Sequence, residues 1–162
     1  MSEAFNVLLV RDKHLYMAAE TTSWASSPGV RRNMKANKGR DTSPEMAVRR
    51  AAHALGLRYR VSTRPVATLR RTADLVFVKA KVAVFVDGCF WHGCPQHHTV
   101  AKTNAEFWAA KVRRTKERDA ETNRLLAIAG WSVVRIWEHD DPVDAAVRLA
   151  TLVRGARSSL DG

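Results

Sequence analysis

Two aspartates, Asp74 and Asp87, bracket a pair of apolar runs, 73–78 and 82–86, with Lys79-Ala80-Lys81 between them. Both runs are strand-length and rich in β-branched residues, which predicts a hairpin turning about Ala80-Lys81. If Lys79 pairs with Val82, Asp74 falls directly opposite Asp87 on one face, about 5 Å away. Like charges that close call for a shared proton or a hard divalent cation, and Mg²⁺ prefers such oxygen ligands. In a basic chain the cation points to phosphodiester hydrolysis, because it activates water and stabilises charge on a phosphoryl oxygen. Separate solvent-facing aspartates at strand ends are the plainer reading. The turn has neither Asn-Gly nor Asp-Gly, so nothing local fixes the register.

The segment Gly88-Cys89-Phe90-Trp91-His92-Gly93-Cys94-Pro95-Gln96-His97-His98 carries different chemistry. Cys89 and Cys94, joined by His97 or His98, offer three soft ligands over a tight span, and His139 could add a fourth. That set suits a structural Zn²⁺, since four protein ligands leave no open position for water. A buried thiol cluster or a disulfide is the alternative. His92 is a candidate for proton transfer; a hydrogen-bonded loop histidine or a zinc ligand are its other readings. Phe90 and Trp91, beside glycines, are either core anchors or a wedge that enters a DNA groove and partly unstacks a base step.

The elements that must position these residues are legible from caps and periodicity. Thr42-Ser43-Pro44-Glu45 has capping-box spacing and predicts a helix through Val48, Ala52 and Leu55 that stops at Gly56. Residues 57–61 alternate like a strand. Thr103-Asn104-Ala105-Glu106 repeats the capping-box spacing before a long helix ending at Gly130, whose first half is basic through Lys111, Arg113, Arg114, Lys116 and Arg118. Residues 131–137 form another strand, and Asp141-Pro142 opens a terminal helix. Strands apolar on both faces with helices around them predict a layered α/β domain. Its expected bounds are 31–154, after an N-terminal extension (1–30) and before a C-terminal tail (155–162).

Among 162 residues, 27 Lys plus Arg face 16 Asp plus Glu, a net charge of +11. Such a field attracts polyanions, nucleic acid first. A basic arm with Arg31, Arg32, Lys35 and Lys38 is suited to following a phosphate backbone, or is simply a solvated leader. No apolar run approaches the roughly 20 residues of a membrane span, and residues 6–10 lack the basic lead-in of a secretory signal. The expectation is an intracellular protein with no membrane partner.

Arg32-Asn33-Met34, Glu45, Ala73-Asp74, Gly88-Cys89-Phe90-Trp91-His92, Thr103 to Trp108, Arg118-Asp119, Gly130-Trp131 and Trp137-Glu138 follow one another over residues 31–150. In that order they resemble the very-short-patch-repair (Vsr) endonucleases of the restriction-endonuclease-like superfamily, which repair T:G mismatches left by deamination of 5-methylcytosine. The resemblance implies a three-layer fold, a central mixed β-sheet flanked by helices, with a structural zinc site. It also implies that Asp74 is the central metal-binding aspartate, that His92 serves water activation or proton transfer, and that Glu45 is an acidic residue near the active site. Phe90 and Trp91 match the aromatics inserted beside the mismatch. The zinc site maps to Cys89, Cys94, a position near Gln96-His97, and His139, where the family commonly has cysteine. A well-known member has a Thr-His pair where this chain has Val86-Asp87. The Val86 backbone carbonyl can still ligate Mg²⁺, and Asp87 would restore a two-aspartate geometry.

The function so implied is Mg²⁺-dependent nicking of mismatched double-stranded DNA, leaving 3′-hydroxyl and 5′-phosphate ends. Lys111, Arg114 and the basic arm would position the duplex for a monomeric, cytoplasmic, nucleoid-associated enzyme working alongside mismatch-repair proteins. A restriction-type or broader lesion endonuclease is one alternative, and a zinc-braced DNA-binding module without catalysis is another.

Overall fold

A computed structural model describes residues 39–158. The expected N-terminal extension and Arg31, Arg32, Lys35 and Lys38 lie outside the described residues. Helix α1 (Ser43–Ala54) leads to strands β1 (Arg60–Thr63), β2 (Ala73–Phe77) and β3 (Val82–Asp87). Helix α2 (Ala105–Ile128), strand β4 (Ser132–Trp137) and helix α3 (Pro142–Ser158) complete the domain. The final helix thus runs past residue 154.

The sheet is mixed, in the order β1-β2-β3-β4. β1–β2 and β2–β3 are antiparallel, whereas β3 and β4 are parallel. A parallel pair cannot be joined by a tight turn, and the 24-residue α2 makes the crossover. Helices α1 and α3 cover one face: Val48, Ala52, Ala146, Leu149 and Val153 pack on Leu75, Phe77, Val84 and Ile136. Leu126 of α2 covers the other with Val76 and Ala83, joined by the partly buried Phe85, Trp131 and Val133. This second apolar cluster is the smaller, so towards one end of the sheet that layer is polar.

The first capping box forms in half: the Glu45 carboxylate accepts the Asp41 N–H, not that of Thr42. Thr42 is the N-cap of α1, and its hydroxyl accepts from the Glu45 N–H. Gly56 then takes φ +79°, where a side chain would be strained, and the helix has ended. The second does not form: Asn104, at φ 53°, is the N-cap of α2 in place of Thr103. Spacing alone cannot tell which of two neighbouring polar residues turns the chain, and asparagine tolerates the left-handed region better than threonine.

The expected hairpin register is also corrected. Phe77, not Lys79, pairs with Val82. Val78 to Lys81 form a four-residue turn closed by the Lys81 N–H on the Val78 carbonyl at 3.2 Å, with Lys81 at φ 49°. Four-residue loops built on a type I turn are a common alternative to tight two-residue ones. The shift is two residues, so every side chain keeps its face, but Phe85 now stands opposite Asp74 and Asp87 lies one diagonal step further on.

Candidate active site and metal cluster

Asp74 and Asp87 share the sheet face that looks towards α2, and the diagonal step separates their backbones by about 7–8 Å. Asp74 is half-buried, and its Oδ2 accepts the Val86 N–H at 2.7 Å. Burial pushes its carboxyl up from 3.8 to about 6, assisted by the negative Glu45 and Asp87 and opposed by the Val86 N–H and Arg49. A carboxylate under that pressure gains from a cation. Asp87 is only 3 % exposed. Arg135 Nη1 donates to both of its oxygens, at 2.9 and 2.7 Å. The carboxylate expected to share a metal with Asp74 therefore already holds a cationic partner within the chain.

His92 Nδ1 lies 2.6 Å from Asp119 Oδ2 and 3.4 Å from Asp87 Oδ1. Burial would raise Asp119, but the His92 hydrogen bond and the charges of Arg135, His92 and Arg118 outweigh it and hold its carboxyl below the ordinary value. An ionised carboxylate only accepts hydrogen bonds, so the ring proton sits on Nδ1 and Nε2 is the nitrogen available for proton transfer. Asp119 comes from mid-α2 and Arg135 from β4; neither was singled out by sequence reasoning as a site residue. Arg135 gave a signal nonetheless, as a charged residue within the apolar run Val133-Val134-Arg135-Ile136.

These groups line one cleft of about 1090 Å³ between the end of the sheet, the start of α1 and mid-α2, with Arg70, Arg71 and Arg118 also on its walls. Glu45 reaches it too, but is 5 % exposed. Its oxygens accept from the Asp41 N–H at 2.9 Å, the Thr42 hydroxyl at 3.1 Å and Arg49 Nη2 at 3.1 Å. That carboxylate fixes the start of α1 beside Asp74.

Immediately after Asp87 the chain leaves β3 and builds a second centre. Cys89, Cys94, His97 and His139 bring one ligand atom each within 4.8 Å of one another. Cys89 Sγ is 3.1 Å from His139 Nδ1, and Cys94 Sγ is 4.0 Å from His97 Nδ1. Both cysteines are buried and free. Burial, the Cys94 thiol and the Glu138 carboxylate push Cys89 up to about 11, a cost a divalent cation reverses by binding thiolate. Two thiols and two imidazoles at this spacing fit a tetrahedral metal site. Gly93 lets the loop dock: at φ +61°, an added Cβ there would meet Val112 Cγ1 of α2 at 2.8 Å and would also clash with Lys116.

Phe90 and Trp91 are half-buried in an edge-to-face cluster. Ring centroids lie 5.2 Å apart for Phe90–Trp91, 5.4 Å for Phe90–Trp108 and 5.6 Å for Trp91–Trp108. The Lys111 ammonium lies 5.3 Å from the Trp91 ring and 5.4 Å from that of Trp108. Arg114 is exposed on α2.

Carboxylates and a histidine–aspartate pair in an arginine-walled cleft are the groups that metal-assisted phosphodiester cleavage requires. A family model described as DNA mismatch endonuclease Vsr matches residues 27–102. The type II nicking enzyme V.NaeI of Lentzea aerocolonigenes is 40 % identical over 159 residues, 93 % of this chain and 96 % of that protein. V.NmeDIP, a type II nicking enzyme of Neisseria meningitidis serogroup C, is 45 % identical over 66 % of this chain and 72 % of its own length. The DNA mismatch endonuclease Vsr of Escherichia coli K12 is 34 % identical over 66 % of this chain and 67 % of its own. The chain belongs to the Vsr family of DNA mismatch endonucleases, within the restriction-endonuclease-like superfamily. It is a metal-dependent DNA endonuclease, and among the described residues no helix is long and apolar enough to cross a membrane.

Proposed function

We propose that the protein nicks one strand of duplex DNA at a T:G mismatch and leaves 3′-hydroxyl and 5′-phosphate ends. The observation that carries this reading is the meeting of Asp74 with the His92–Asp119 pair in a single cleft. Asp74, with the Val86 backbone, is the protein's grip on a catalytic Mg²⁺, and Asp87 joins them only by exchanging its Arg135 partner. Bound there, Mg²⁺ would supply Lewis-acid stabilisation of a scissile phosphate and a lower pKa for water. His92 takes up a proton at Nε2 while Asp119 holds Nδ1–H and keeps the ring oriented. Arg70 and Arg118 steer the phosphate backbone into the cleft.

Zn²⁺ is the metal that Cys89, Cys94, His97 and His139 suit best, because soft thiolates and imidazoles in a four-donor set select it. Its role is to hold the 88–98 loop, and with it His92 and the aromatic pair. Phe90 and Trp91 are the wedge beside the mispair, with Lys111 and Arg114 on the flanking backbone; insertion would exchange ring contacts within the protein for base stacking. Two relatives described as nicking enzymes favour a single-strand cut by one chain.

A matched panel of T:G, other mismatched, abasic and fully paired duplexes, incubated with Mg²⁺ and with product ends mapped, tests the reading. T:G duplexes should be nicked on one strand with the stated ends. Equal nicking of fully paired duplexes would replace it with a restriction-type enzyme.

A further inference from the structure

We infer that Arg135 is a positioning residue for the nicking reaction: one guanidinium clamps Asp87 and Asp119 on either side of His92 and so fixes the imidazole in the cleft. The inference rests on the nicking reading above and adds to it a residue that does not touch the reacting atoms.

Every edge of the guanidinium is engaged. Nη1 donates to both oxygens of Asp87, Nη2 lies 3.2 Å from Asp119 Oδ1, and Nε donates to Asn123 Oδ1 at 3.1 Å. Its plane is backed by the Phe85 ring, 4.9 Å from the guanidinium carbon to the ring centroid. A group so committed is not a free hand for DNA phosphate. The two carboxylates it holds are the two that contact His92 Nδ1, from β3 and from α2. Without the clamp, two carboxylates would crowd one ring nitrogen, and like-charge repulsion would drive them, and the ring, apart. The parallel register places Arg135 beside Phe85, on the same face as Asp87, so the fold delivers the clamp without any loop. Lysine cannot replace it, because a single ammonium does not offer a planar fork to two partners at once.

Single-turnover nicking of a T:G duplex by Arg135→Ala should fall about 100-fold, the scale on which a misplaced catalytic group slows reaction. Duplex affinity should stay within about threefold of wild type. Added guanidinium ion, at concentrations that leave the protein folded, should restore about tenfold of the lost rate, whereas equal ionic strength of NaCl should not. Arg135→Lys keeps the charge and the stem and should also be slow. Independently of nicking, the His92 Nδ1 proton should appear as a protected downfield resonance in wild type and be lost in Arg135→Ala. Nicking by Arg135→Ala within about threefold of wild type, persistence of that resonance, or loss of the folded state in both variants would each overturn the inference. Wild-type protein that shows the protected proton but nicks no T:G duplex would sink the functional reading and leave the clamp standing.

Discussion

The carboxylate cleft and the Cys/His cluster are separated along the chain by a single glycine, Gly88, yet they are held together in opposite ways. In the cleft each acid already has a partner from the protein: Asp87 has Arg135, Glu45 has Arg49, Asp119 has His92, and Asp74 has the Val86 N–H. In the cluster the four donors chiefly face one another, and one of them, the Cys89 thiol, is pushed up by burial. The cleft is thus a preformed part of the sheet, whereas the cluster, on the zinc reading proposed above, would owe its cohesion to a bound ion. They are tied by Glu138, whose carboxylate accepts the Cys89 N–H at 2.6 Å while its own N–H binds the Asp87 carbonyl at 2.9 Å.

The largest effect should come from breaking the cluster. A structural zinc in small domains contributes on the order of 10 kcal/mol, comparable with the whole stability of roughly 5–15 kcal/mol. Cys94→Ser should therefore lose its zinc and be largely unfolded, as followed by metal analysis and thermal melting. If wild-type protein retains no zinc after exhaustive Mg²⁺ exchange, the contrast between the two centres collapses.

Within the cleft, Asp119→Asn should leave the fold and duplex binding in place while slowing nicking by about 10²–10⁴-fold, the range for a disabled general base. Unchanged single-turnover rates would reduce the His92–Asp119 contact to packing.

A smaller, graded effect follows from Asp74. Its folded pKa of about 6 lies above the ordinary 3.8, so between those values the folded state binds more protons than the unfolded one. This group's contribution to stability in metal-free protein accordingly declines as pH rises from about 4 to 6 and is constant above. Mg²⁺ needs the ionised carboxylate, so half-saturating Mg²⁺ for nicking should rise about tenfold per pH unit below pH 6 and flatten above it. A flat profile from pH 5 to 7 would mean that another group anchors the ion.

Much of the architecture was legible in the sequence, because α1 is signalled by its cap and by Gly56, and β2, β3 and β4 by their apolar runs. Two errors shared a cause. The hairpin register and the start of α2 both turn on a residue in the left-handed region, Lys81 and Asn104, where no glycine announces it. At the site, residues carried by a motif, from Asp74 to His139, could be named in advance. Asp119 was visible only as part of the Arg118-Asp119 motif, with no role, since it lies in a charged helix, and Arg135 is defined by a parallel register that emerges only when β4 docks on β3. That register is also why Asp87, read as a metal ligand beside Asp74, has Arg135 as its partner.

Single-turnover nicking of a T:G duplex by Asp74→Ala, with duplex affinity measured alongside, tests the central claim most directly. The account predicts wild-type binding with nicking reduced at least about 10³-fold at any Mg²⁺ concentration, as expected when a transition-state interaction is removed. Wild-type nicking by Asp74→Ala would contradict it and move the catalytic centre elsewhere in the molecule.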